Sequence, residues 1–162
     1  VDGEHCVAVL AGWGGVPAIV GADAAFSAAS KFSNDGHMLA FKLGGETKMP
    51  EMAERRFTQI PKPPDDDATP AEVKLGESLY HKPCSMCHGI LGISSGVISD
   101  LRYSSGAVHQ NFRKIVLEGA LANSGMAPFD DLLSAEEVDA IHSYIIKRTN
   151  DNRAAQLEAA QR

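Results

Sequence analysis

The sequence predicts a mainly α-helical domain preceded by a short β segment, with an extended connector between them. Three observations carry this. After residue 70, apolar residues recur at helical spacing, and two segments open on capping signals. Before residue 60 the apolar runs are strand-length and end in glycine pairs. Between the two, residues 61–70 are rich in Pro and Asp, a composition that forms neither helix nor central strand and should stay extended and solvated. The expected organisation is therefore 1–60, a linker at 61–70, a helical domain at 71–149 and a polar tail at 150–162.

In the first region, residues 5–11 are small and β-branched and run into Gly12-Trp13-Gly14-Gly15. Residues 37–43 alternate weakly and end at Gly44-Gly45. Two strands cannot bury their apolar faces alone. Either this region packs on the helical domain or its partners lie outside the chain. In the helical region, Thr69 and Pro70 mark a start, as cap and first helical residue, of a helix reaching about His81. Val108, Phe112, Ile115 and Val116 define one face of a single helix stopping near Gly119. Ser134 and Glu137 form a capping box opening a helix with Val138, Ile141 and Ile145 on one face, expected to end near Lys147-Arg148.

A chain of 162 residues with 44% hydrophobic residues can bury a core. Its net charge of −6 argues against a general nucleic-acid binder. No apolar run approaches the ~18 residues that would span a bilayer. The chain starts at Val1 with no export signal in view, so it reads as a mature product or as a piece of a longer one. Of three cysteines two share a motif; the third, Cys6, reads as a small buried apolar residue.

That motif is Cys84-Ser85-Met86-Cys87-His88, C-x-x-C-H, the attachment signature of haem c. Two thiols three positions apart reach the two vinyl groups on one porphyrin edge, and the next residue lies under the ring with its imidazole on the iron. A zinc half-site would need a second Cys or His pair, which is missing. A redox dithiol would follow a strand, and the context here is helical. For the other face of the iron, Met126 in Gly125-Met126-Ala127-Pro128-Phe129 is the candidate, because this loop joins the two later helices and can swing a thioether onto the haem. A core role for Met126 is the alternative. His109 is a rival ligand, expected on the polar side of its helix. His/Met ligation leaves no open site and raises the reduction potential, as electron transfer requires. Gly76, Tyr80 and Tyr144 are further candidate haem neighbours, a Gly allowing two helices to cross closely. Arg102 reads equally as a haem-propionate partner or as a solvated surface arginine.

At these residues the helical region resembles a class I cytochrome c. The runs Asp100-Leu101-Arg102-Tyr103, 112–120, 125–129 and 133–141 are similar to the cytochrome domain of quinohaemoprotein alcohol dehydrogenases, in which a β-propeller holding PQQ and Ca²⁺ is joined to a C-terminal cytochrome. Residues 7–17 and 39–45 resemble the last part of such a propeller. The resemblance implies that Gly15 and Val16, with Trp13 nearby, line the quinone or alcohol pocket. It implies that alcohol loses two electrons to PQQ, which pass singly to the haem and on to a copper protein, a cytochrome or a quinone. The setting it implies is the periplasm. The family's catalytic Asp, Ca²⁺ ligands and adjacent-Cys pair have no counterpart here, so the chain reads as an electron-transfer part without the alcohol-oxidising site. Two departures stand out: Ser99 stands where the family usually has a Pro whose carbonyl bonds the haem-ligand His in related cytochromes, so another carbonyl must do this or His88 is less firmly oriented; and Met-Ala-Pro replaces Met-Pro in the methionine loop, which should shift the loop slightly without removing the ligand. A free-standing carrier with a non-catalytic N-terminal extension is the alternative reading. A small haem enzyme or gas sensor with an open iron site is another.

Overall fold

The computed structural model describes residues 3, 5–12, 32–33, 35–94 and 98–161. In chain order these residues form strands β1 (Cys6–Ala11) and β2 (His37–Lys42), then helices α1 (Pro70–Tyr80), α2 (Ser85–His88), α3 (Gly106–Gln110), α4 (Phe112–Val116) and α5 (Ala135–Ala160), with short 3-10 turns at Ile90–Gly92, Leu101–Tyr103 and Ala122–Ser124.

β1 and β2 pair antiparallel with Cys6 opposite Lys42 and Ala11 opposite His37. This ribbon buries little: Val7, Val9, Leu10, Met38 and Phe41 are all exposed. Cys6 is exposed too, which corrects the expectation of a buried apolar cysteine. The reason is that a two-stranded ribbon has no second layer to cover either face. Trp13, Gly15 and Val16, the residues expected at a quinone pocket, lie outside the described residues.

The core is made by α1 crossing α5, joined by α4. Leu79, Tyr80, Phe112, Val116, Val138, Ile141, Tyr144 and Ile145 form one buried cluster. Both long helices start where expected and for the expected reason. Thr69 Oγ1 accepts the Glu72 N–H at 3.3 Å while Glu72 Oε2 accepts the Thr69 N–H at 2.7 Å. Ser134 and Glu137 repeat this at 3.2 and 2.8 Å. Each box satisfies two otherwise orphaned donors and contributes about 1 kcal/mol.

Two helix expectations are corrected. The single helix expected over 108–119 is two short ones, broken at Asn111 (φ −108°, ψ 18°). Asn111 Nδ2 donates to the Ala107 carbonyl at 2.9 Å, a side-chain competitor for the backbone of the preceding turn. The buried residues of the two helices are His109, Phe112 and Val116, still at helical spacing across the break. The final helix does not stop at Arg148 but runs to Ala160. Residues 149–160 contain no Gly or Pro to end it, and Thr149 continues the buried stripe, its Oγ1 donating to the Ile145 carbonyl at 2.8 Å. The connector is also less solvated than expected. Ile60 and Pro63 are buried, because apolar residues in an extended segment can still be laid against a helix.

His109 is buried, not on a polar face. Its Nδ1 lies 2.8 Å from His142 Nε2 on α5, one ring donating and the other accepting, and Phe112 stacks on His142 at 4.3 Å. Burial, then the neighbouring His109, lowers the His142 pKa from 6.5 to about 4, against Asp66 and Asp139, which raise it. The fold thus prefers the neutral ring, and the unfolded chain takes up the proton first as pH falls. This contribution to stability is complete above about 6.5 and is lost progressively from there down to about 4. Allowing for partial exposure, it amounts to on the order of 1–2 kcal/mol. Denaturant unfolding at about pH 7 and about pH 4.5 should show that loss, and His142→Phe should remove most of it. A pH dependence unchanged in the variant would place its origin elsewhere.

Candidate functional site

The C-x-x-C-H motif begins directly below α1. Cys84 N–H bonds to the Tyr80 carbonyl at 3.1 Å, and the His88 and Gly89 N–H groups close one helical turn on Cys84 and Ser85. This turn, α2, brings Cys84 and Cys87, three positions apart, to one side of a short helix with His88 at its end. Cys84 is half-buried and Cys87 exposed. Burial, with Cys87 as the smaller cause, pushes the Cys84 thiol up to about 11, so it stays protonated at neutral pH.

His88 Nδ1 lies 2.9 Å from the Ser99 carbonyl oxygen. A carbonyl can only accept, so Nδ1 carries the proton and Nε2 keeps its lone pair free for a metal. This corrects the expectation that another carbonyl must serve or His88 be less firmly oriented: the Ser99 carbonyl makes the contact itself, because it belongs to the backbone and does not depend on the side chain. Gly89 follows with φ +79°, and a Cβ there would lie 2.0 Å from the Ile93 carbonyl oxygen, so only glycine fits. Its own carbonyl accepts the buried Tyr80 hydroxyl at 2.7 Å. Gly89 is a feature of the site that the residue pattern did not single out, whereas the resemblance marks position 99 but implies that it loses its role. Gly89 was discoverable as a glycine immediately after the motif. The Ser99 contact carries no side-chain signal.

Met126 sits in a pinned loop. Its N–H bonds to the Leu121 carbonyl at 3.2 Å, Gly125 before it is left-handed at φ +92°, and the Phe129 N–H bonds to the Val116 carbonyl at 2.8 Å. Met126 and Cys84, far apart in sequence, both pack against the same core cluster. Of the candidate ligands, the Cys84 thiol and the Met126 thioether thus border one cluster, and His88, with its free Nε2, closes the turn that begins at Cys84.

Tyr80 and Tyr144 meet at the α1–α5 crossing, ring centroids 5.4 Å apart. Gly76 lies there as well, but against the Ala140 backbone and not against an aromatic ring. Arg102 is not a solvated surface residue: its side chain is 11% exposed. Nε and Nη2 donate to Asp100 at 3.0 and 2.7 Å and Nη1 to Asn152 Oδ1 at 3.3 Å, which leaves one N–H on each terminal nitrogen.

A family profile described as cytochrome c oxidase, cbb3-type, subunit III matches residues 71–145. Quinohemoprotein alcohol dehydrogenase ADH IIB of Pseudomonas putida is 39% identical over 160 residues, 98% of this chain and 23% of that protein. Residues 71–145 are a cytochrome c domain, similar in sequence and fold to part of the quinohaemoprotein alcohol dehydrogenases. The dehydrogenase subunit of alcohol dehydrogenase (quinone) from Acetobacter aceti is 35% identical over 98% of this chain and 21% of its own length. The solved structure of quinohemoprotein alcohol dehydrogenase ADHIIG from Pseudomonas putida HK5 superposes with a TM-score of 0.73 at 41% identity, covering 93% of this chain and 21% of that one. The chain thus spans about a fifth of the length of these relatives. Its cytochrome c domain works by electron transfer and implies haem c as cofactor. No helix among the described residues is long and apolar enough to cross a membrane.

Proposed function

We propose that this chain holds haem c through thioethers to Cys84 and Cys87, with His88 and Met126 as axial ligands, and relays electrons from PQQ in an upstream propeller to an external acceptor. The observation that carries the reading is the His88 Nδ1 contact to the Ser99 carbonyl, which fixes the tautomer and turns a free Nε2 away from the backbone. When bound, the haem supplies a one-electron couple. The residues here orient and shield it. His88 is held in one tautomer by Ser99, Tyr80 anchors Gly89 behind it, and the pinned 119–133 loop presents Met126. The remaining N–H groups of Arg102 are available to a haem propionate.

Residues 1–60 are read as the end of the propeller, 61–70 as the linker, 71–149 as the cytochrome domain and 150–162 as its helical tail. The exposed apolar side chains of β1 and β2 support this, since such a ribbon is complete only inside a larger sheet. Gly15 and Val16 are assigned to the PQQ or alcohol pocket, and PQQ and Ca²⁺ to the upstream part. The acceptor is a copper protein, a cytochrome or a quinone, and the compartment is the periplasm.

A visible spectrum of the purified holo chain tests the division of labour. With alcohol, PQQ and Ca²⁺ the haem should stay oxidised, and dithionite should then reduce it. Reduction by alcohol would mean that this chain itself contains a working dehydrogenase site.

A further inference from the structure

Helix α5 continues about three turns beyond the expected stop at Arg148, and the overhang is not idle. Its half-buried residues Asn152, Arg153, Gln156 and Leu157 continue the stripe of Thr149 at i+3, i+4, i+7 and i+8, so one face is turned to the protein. What that face meets is the extended strand of chain that enters the cytochrome domain. Gln156 Oε1 accepts the Ile60 N–H at 2.8 Å, and Gln156 Nε2 donates to the Thr58 carbonyl at 2.9 Å. The amide orientation is unambiguous, because a backbone N–H can only donate and a carbonyl only accept. One side chain thereby pairs with a backbone as a neighbouring β-strand would. The Thr58 carbonyl takes a second donor, Tyr103 Oη at 3.0 Å. Ile60 is 3% exposed, and Arg55 reaches the Ser94 carbonyl at 3.2 Å.

We propose that Gln156 is a positioning residue that clamps residues 58–60 to the cytochrome domain and so sets the distance between the haem and the upstream electron source. The proposal rests on the reading of the upstream part as that source. Among the described residues, Gln156 makes two of the three hydrogen bonds to residues 58–60, so without it the segment detaches more often, and each time it does the tether to the upstream part lengthens toward α1 at Pro70. A longer flexible tether spreads the separation of the two ends. Electron tunnelling falls steeply with distance, so a fixed short separation outperforms a distribution of longer ones.

The test uses the full-length holoenzyme, with Gln156→Ala and, as a variant that keeps the ring and removes one bond, Tyr103→Phe. Hydrogen exchange at the Ile60 amide should accelerate about tenfold in Gln156→Ala. Alcohol-driven reduction of the haem should slow several-fold, and less in Tyr103→Phe. The haem spectrum and reduction potential should not change, which a role in haem binding would not allow. Unchanged exchange at Ile60, or accelerated exchange with alcohol-driven reduction at the parent rate, would overturn the proposal. If the parent enzyme shows no alcohol-driven haem reduction at all, it is the electron-source reading that fails, and the rate role proposed for Gln156 falls with it, whereas exchange at Ile60 still decides whether the clamp exists.

Discussion

Gly76→Ala should lower the Tm of the holo chain by on the order of 10–20 °C. An added Cβ would lie 1.8 Å from the Ala140 carbonyl oxygen, 2.4 Å from its carbon and 3.0 Å from the Ile141 nitrogen. These are backbone atoms in the second turn of α5, which cannot rotate away as a side chain would. The helices must separate, and Leu79, Tyr80, Ile141 and Tyr144 lose packing together. The expected cost is about 3 kcal/mol or more, at the upper end for overpacking. Gly106→Ala is the control: a Cβ there meets nothing within 4 Å, and the position opens α3. Thermal unfolding followed at the haem band measures both. Equal Tm values for the two variants would show that the α1–α5 crossing is wider than described.

Met126→Ala should abolish the long-wavelength band of thioether-bound ferric haem and lower the reduction potential by on the order of a few tenths of a volt. A soft sulfur ligand favours the reduced iron, so its loss favours the oxidised form. The loop should survive the change, because the Gly125 turn and the Phe129–Val116 backbone bond hold it without the side chain. The effect is therefore on the iron and not on the fold, and the Tm should fall far less than in Gly76→Ala. An unchanged spectrum and potential would exclude Met126 as axial ligand and reopen the reading of an open iron site. His109, the rival ligand, is buried against His142 of α5.

Much of the site is legible in the residue pattern because it is local. C-x-x-C-H is five consecutive residues, and α2 is one helical turn. The starts of α1 and α5 lie in capping boxes spanning four residues each. Pattern misleads where it admits two outcomes. Val108, Phe112 and Val116 fit one long helix, yet the helix breaks at Asn111, and His109, at helical spacing from Phe112 and Val116, lies on the buried side and not on a polar face. Residues 149–160 have the polarity of a tail, although an Ala-rich run without Gly or Pro is good helix material once one face has something to cover.

The amino-acid sequence by itself determined the chemistry: which atoms can bond a haem, where the long helices begin, and that a Pro- and Asp-rich segment must be extended. Those properties follow from residue types within a few positions of each other. Only the tertiary structure decided that the Ser99 carbonyl keeps the contact with His88, that the close crossing at Gly76 is against the Ala140 backbone, and that Gln156 grips residues 58–60. Each of these contacts a backbone atom brought in from elsewhere in the chain. Every residue offers the same carbonyl, and all but Pro the same N–H, so no side-chain pattern could announce which one would be met.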